Sequence, residues 1–239
     1  MEKHPVVSHD EWIKARKLLL GEEKEFTKAR DRLSSRRRDL PWERVEKNYV
    51  FEGTSGRTTL KELFGKCSQL IVYHFMFDPD WDAGCKSCSF WADNFNGIDI
   101  HLANRDVSFV AISRAPLPKL EAYRKRMGWN FRWFSSYGSD FNHDYYVTFT
   151  PEEMEAGTAF HNYARGKPPI SEMVGISVFY NDKAGDIFHT YSAYSRGVDM
   201  MNGAYHYLDL TPKGRDEDAL PYTQSWVRRH DEYGKEKDD

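Results

Sequence analysis

The chain is poor in cysteine. Cys67, Cys85 and Cys88 are its only thiols among 239 residues, odd in number and too few for the disulfide framework of a secreted domain. A long apolar run is also missing. No stretch reaches the roughly 20 residues needed to cross a bilayer, and the start Met1-Glu2-Lys3-His4-Pro5 lacks a signal-peptide core. Charge of one sign is not in excess either: the formal net charge of −3 gives no global reason to expect nucleic acid or an anionic membrane as partner. These absences predict a cytoplasmic protein with a reduced Cys67, no nucleic-acid or membrane partner, and one enlarged domain with appendages.

What is present begins with a helical extension over residues 1–48. Trp12, Ala15, Leu19 and Phe26 recur at helical spacing amid charges, and Ser8 with Glu11 forms a capping box, which predicts one or two helices from Ser8 to Arg38. These exposed helices leave homo-oligomerisation open. From Tyr49 the pattern changes to a main domain over residues 49–212. Tyr49-Val50-Phe51 reads as a strand, Thr59 to Phe64 as a short helix, Gln69 to Phe77 as an apolar strand, and about Cys85 to Phe95 as a helix. A strand at Val107 to Ser113 follows, then a helix opened by Pro116 or Pro118 and closed by Gly128, then a strand at Phe131 to Phe134. Residues 135–175 read as an insertion with one helix from about Pro151 to Tyr163. Asn181 to Gly185 turns a β-hairpin, Val198 to Leu208 has helical spacing, and residues 213–239 form a charged tail expected to fray.

The chemistry is concentrated in Asp78-Pro79-Asp80-Trp81-Asp82-Ala83-Gly84-Cys85-Lys86-Ser87-Cys88, between the apolar strand and a helix. Two cysteines separated by two residues on a first helical turn can close a disulfide, and the unpaired N–H groups there stabilise a thiolate on the first. Cys85 is the candidate nucleophile and Cys88 its resolving partner. Lys86 would favour the thiolate, whereas Asp80 and Asp82 would oppose it; the two carboxylates read as exposed turn residues, or as a base for Cys88. Trp81 is a candidate substrate surface, and Arg114 a candidate anion contact or structural ion pair. The spacing is also half of a zinc site, but no second pair exists. Haem attachment would need a histidine where Ser89 stands. Neither a cofactor nor a metal is expected. His74 reads as a hydrogen-bonded core residue.

Strand, cysteine helix, strand, helix, hairpin, helix is the order of a thioredoxin-like fold, which the chain resembles: α/β with a central mixed sheet, a helical N-terminal extension and an insertion before the final hairpin. The prelude from Tyr49 to Phe64 looks like that of peroxiredoxins. Tyr73-His74-Phe75-Met76-Phe77, the run Gly84 to Asp93, Ser113-Arg114-Ala115-Pro116-Leu117 and the run Tyr207 to Arg215 resemble a bacterial thioredoxin-like family that carries only a domain-of-unknown-function label. The resemblance implies the fold and lends no reaction. Two departures stand out. The cis-proline of thioredoxins is replaced by Met173-Val174-Gly175, and the hydroxyl residue of the peroxiredoxin motif is absent between Pro79 and Cys85. The expected activity is thiol–disulfide oxidoreduction on a disulfide-containing protein or a small-molecule thiol substrate. The alternatives are a thiol-dependent peroxidase, or a non-enzymatic redox-sensing or zinc-binding interaction protein.

Overall fold

A computed structural model describes residues 4–234; the expectations for Met1 to Lys3 and for the charged end from Lys235 to Asp239 fall outside them. The chain divides into two compact units, Met1–Pro41 and Trp42–Asp239. The first holds α1 (His9–Arg38), a single helix. Ser8 caps it, with the Glu11 amide donating to Ser8 Oγ at 3.4 Å and the Ser8 amide donating to Glu11 Oε2 at 3.0 Å. Arg36, Arg37 and Arg38 fill its last turn, where cations complement the helix dipole. None of its residues is buried. Among the described residues no helix is long and apolar enough to cross a membrane.

The second unit runs β1 (Glu43–Arg44), β2 (Val50–Gly53), β3 (Gly56–Thr59), α2 (Leu60–Leu63), β4 (Gln69–His74), α3 (Lys86–Ala92), α4 (Ile98–Ala103), β5 (Val107–Ser113), α5 (Leu117–Arg126), β6 (Trp133–Ser135), α6 (Phe141–Asp144), α7 (Pro151–Ala156), β7 (Ala159–His161), β8 (Ala164–Gly166), β9 (Gly175–Asn181), β10 (Ile187–Tyr194) and α8 (Gly203–Leu208). Eight strands form one mixed sheet in the order β1-β10-β9-β4-β5-β6-β2-β3. β4 is at its centre, parallel to β5 from Gln69↔Val107 to His74↔Ile112 and antiparallel to β9 from Gln69↔Tyr180 to His74↔Gly175. This is the thioredoxin-like arrangement of a crossover unit followed by an antiparallel hairpin.

Because successive strand residues point to opposite faces, β4 feeds two cores. Leu70 and Val72 join Tyr49, Phe51, Phe141, Tyr145 and Phe179 on one side. Tyr73 and, beyond the strand, Phe75 join Trp91, Phe95, Tyr123, Trp129 and Trp133 on the other, with Cys88 among them. Burial of each such side chain contributes about 1.5–3 kcal/mol as an upper bound.

The structure departs from the sequence reading in several places. The helix expected to reach Tyr163 stops at Ala156, because Gly157 takes a left-handed φ of 65° and caps it. β7 and β8 then pair around Asn162 and Tyr163, both left-handed, as a two-residue hairpin turn requires. α4 was not foreseen. The expected helix from Val198 to Leu208 is split: Ser195–Met201 is a 3-10 segment, and Asn202, in extended conformation, caps α8 by accepting the Tyr205 amide at 3.2 Å. The segment expected to fray is instead anchored through residue 234, with Val227 fully buried, because its few apolar side chains, Trp226 and Val227, have a core to enter.

Candidate active site

The cysteines lie beyond the C-terminal end of β4, where α/β folds place their ligand sites. From Phe75 to Phe77 the chain stays buried and continues the sheet, with the Phe75 amide donating to the Ile112 carbonyl at 3.0 Å and the Ala115 amide to the Phe77 carbonyl at 2.8 Å. The turn that follows is pinned from α5: Lys119 Nζ donates to the carbonyls of Pro79 at 2.6 Å and Trp81 at 3.0 Å. Gly84 then passes so close to two rings that a Cβ there would meet Phe75 Cε1 at 2.7 Å and Tyr123 Cε1 at 2.9 Å. Only glycine fits this path.

Cys85 is the N-cap of α3, and Cys88 is the third residue of that helix. All three cysteines are free thiols. The Cys88 amide donates to Cys85 Sγ at 3.5 Å. The Cys88 thiol, the Cys88 and Ser87 amides and the charge of Arg229 pull the Cys85 thiol down to about 7, against a smaller opposing effect of burial. Cys88 is 2 % exposed, and burial pushes its thiol well above the usual range, with the neighbouring Cys85 adding to the effect. Two donors act the other way on Cys88: the Met76 amide, 3.4 Å from its sulfur, and the Tyr73 hydroxyl. The Tyr73 hydroxyl is buried and makes no full hydrogen bond, so it acts on the Cys88 sulfur by proximity. The sulfur of the partly exposed Cys85 is thus tuned toward the thiolate, and that of the buried Cys88 is held protonated.

A second layer fixes Cys85. Ser89 Oγ donates to the Cys85 carbonyl at 2.8 Å and is 2.9 Å from the Tyr123 hydroxyl. Arg229 Nε donates to that hydroxyl at 2.8 Å, and its Nη2 donates to the Gly84 carbonyl at 2.8 Å. Beside Cys88 lies a cavity of about 210 Å³, mainly apolar, whose walls include Tyr73, Met76, Trp91, Val174 and Val198. Val174, just before β9, shares this cavity with Cys88. Among the described residues no three His, Cys, Asp or Glu side chains converge where a metal ion would bind.

With this geometry in place, the comparisons can be set beside it. Residues 1–233 match the model of the family described as "Bacterial protein of unknown function (DUF899)". The chain belongs to that family. No curated protein matches it. Among solved structures it is similar to the peroxidoxin BcpB from Mycobacterium tuberculosis, with 15% identity and a TM-score of 0.45 over 68% of this chain and 93% of that one. It is also similar to peroxiredoxin Q from Xanthomonas campestris, with 11% identity and a TM-score of 0.44 over 70% and 94%. A putative thiol:disulfide interchange protein DsbE from Chlorobium tepidum matches with 12% identity and a TM-score of 0.39 over 70% and 94%. At these scores the likenesses carry no weight about the reaction.

The other residues singled out from sequence fall into place around the pair. Lys86 opens α3, but the cation acting on Cys85 is Arg229. Asp82 is exposed, and Trp81 packs partly against the cysteine-side core. Arg114 is an ion-pair bridge, with Nη2 at 2.9 Å from Asp78 Oδ2 and Nε at 2.8 Å from Glu172 Oε1. Glu172 is 1 % exposed. Burial outweighs the attraction of Arg114 and raises its carboxyl to about 7. His74 sits in the other core, donating to or accepting from Ser177 Oγ at 2.9 Å. Sequence reasoning missed Arg229, Tyr123, Ser89 and Tyr73 as site residues. The apolar pair Trp226-Val227 just before Arg229 was the available sign that the tail docks.

Proposed function

We propose that the protein is a thiol–disulfide oxidoreductase. The observation that carries this reading is the asymmetry of the pair, a partly exposed Cys85 lowered to about 7 beside a buried Cys88 raised above the ordinary thiol range. In the forward reaction the Cys85 thiolate attacks one sulfur of a substrate disulfide, forming a mixed disulfide and expelling the other sulfur as a thiolate, which takes up a proton. Cys88 then loses its proton, attacks Cys85 Sγ and releases the second substrate thiolate. Two electrons pass to the substrate, and Cys85–Cys88 becomes a disulfide that an external dithiol must reduce. The Met76 amide, 3.4 Å from the Cys88 sulfur, is in place to stabilise the charge on Cys88 as it deprotonates. The partners implied are a disulfide-bearing protein or small molecule and a thiol reductant.

The peroxidase alternative needs a donor aimed at a bound peroxide. The Ser89 hydroxyl, one turn along α3 from Cys85, is turned to the Cys85 carbonyl instead. Losing one such donor commonly costs about a hundredfold in rate, so disulfide reduction should exceed hydrogen peroxide reduction by about that margin. Insulin reduction with dithiothreitol as reductant tests the roles. Cys85→Ser abolishes turnover, and Cys88→Ser accumulates a mixed disulfide visible by mass spectrometry. Full activity in Cys85→Ser, or rapid peroxide reduction without disulfide reduction, contradicts the assignment.

A further inference from the structure

A cavity of about 700 Å³ belongs to the core of Tyr49 and Tyr145 rather than to that of the cysteines. Its walls include Tyr49, Tyr145, Tyr146, Phe160, Tyr163 and Tyr194. Three of the hydroxyls are already committed: Tyr49 donates to Asp144 Oδ2 at 2.7 Å, Tyr163 to the Ser192 carbonyl at 2.9 Å and Tyr194 to the Tyr145 carbonyl at 3.0 Å. What those residues have left to offer a ligand is ring. Tyr146 stands nearly perpendicular to Phe160, with centroids 4.7 Å apart at 75°, and Tyr163 to Tyr194, at 5.7 Å and 66°. Such pairs turn ring faces in different directions, as the walls of a box do.

Tyr146 is held in an uncommon backbone conformation, at φ 58°, whereas the left-handed φ of Tyr163 belongs to the β7–β8 turn. Bulky side chains seldom occupy the left-handed region, and where they do, ligand sites are over-represented. The charge of the lining favours a cation. Lys47 is tied to both Asp140 and Asp144 at 2.7 Å, and Arg44 is paired with Asp186. Glu46, also in the lining, has no ion-pair partner among the described residues, and Glu43 Oε2 lies 3.4 Å from Nδ1 of His189, another lining residue. One cation already lies over one of the rings, Lys47 Nζ at 5.5 Å from the Tyr49 centroid.

We infer that this cavity binds a small organic cation of the quaternary ammonium class, held over the tyrosine faces and drawn in by Glu43 and Glu46. Cation–π contact supplies the selectivity, since a ring face attracts a desolvated ammonium and offers a neutral group of the same shape only apolar contact. The volume falls within the range of metabolite-sized sites. This inference does not depend on the redox reading.

Calorimetric titration of the full chain with choline, and with its neutral isostere 3,3-dimethyl-1-butanol, tests it. Choline should bind saturably and about tenfold or more tighter than the isostere. Tyr146→Phe should retain choline binding, Tyr146→Leu should weaken it about fivefold, and the double variant Glu43→Gln, Glu46→Gln should weaken choline without affecting the isostere. Circular dichroism confirms that each variant is folded. Failure of choline to saturate in the millimolar range, equal binding of the isostere, or unchanged binding in folded Tyr146→Leu overturns the inference.

Discussion

Replacing Cys88 by alanine removes the thiol whose hydrogen bond contributes most to the low midpoint of Cys85, about 7 in the native protein. A hydrogen bond to a charged acceptor contributes about 1.5–3 kcal/mol when the donor is a strong one. A thiol is a weaker donor, so about one pKa unit, or about 1.4 kcal/mol, is the expected loss. The Cys85 midpoint should move to about 8, and the thiolate fraction at pH 7 should fall from about a half to about a tenth. The alkylation rate at pH 7 falls less than fivefold, because a thiolate one unit more basic is about threefold more nucleophilic. The assay must therefore be the full pH profile of iodoacetamide alkylation, followed at Cys85 by mass spectrometry, in which the midpoint rises and the alkaline plateau rises with it. Cys88→Ser, which keeps a donor, should stay near the native midpoint. Arg229→Met, which removes the smallest of the cited contributions, should move it by less than Cys88→Ala does. An unchanged midpoint in Cys88→Ala would refute the claim that the buried thiol tunes the nucleophile.

Gly84→Ala drives a methyl group into the rings of Phe75 and Tyr123; it should lower stability by about 1–3 kcal/mol in denaturant unfolding and slow Cys85 alkylation, and a native-like stability would show that the turn can yield. The pH dependence of stability carries a concealed pair. Glu172 is raised from 4.5 to about 7 by burial, so its contribution, full below 4.5, is lost as pH rises toward 7. His74 is lowered from 6.5 to about 3, first by burial and then by His189, so its contribution, full above 6.5, is lost as pH falls toward 3. Between 4.5 and 6.5 the two slopes oppose each other. Glu172→Gln should unmask the histidine slope, making the variant progressively less stable on acidification through that window, measured as the urea midpoint; an equal pH response in variant and native protein would contradict the assignment.

The parts of the site legible in sequence were those set by near neighbours. A two-residue spacer puts Cys85 at the N-cap and Cys88 one turn on, whatever the rest of the chain does. The apolar run from Gln69 and the turn after Asn181 likewise announce β4 and the β9–β10 hairpin. Arg229 was hidden because it reaches the Gly84 carbonyl from 145 residues away, a contact that no local pattern encodes. Lys86, adjacent to Cys85, was the natural candidate for the same electrostatic role. The helix at Pro151 was overextended for a related reason: Glu152, Glu153 and Met154 favour helix, and the left-handed Gly157 that ends it looks in sequence like a tolerable interior glycine. The role of Tyr73 depends on which face of β4 meets α3, and this is fixed only when the sheet is assembled.

Cys67 precedes β4, while Cys85 follows its far end. The six residues from Gln69 to His74 alone span about 20 Å at 3.3 Å per residue, well beyond the roughly 7 Å that a disulfide tolerates between Cα atoms. The central claim is therefore tested most directly by equilibrating the protein across a series of dithiothreitol redox buffers, quenching free thiols and mapping bridges by mass spectrometry. The account predicts one reversible two-electron transition that converts free Cys85 and Cys88 into a single Cys85–Cys88 disulfide while Cys67 remains alkylatable throughout. A bridge to Cys67, or the absence of any reversible bridge between Cys85 and Cys88, would contradict it.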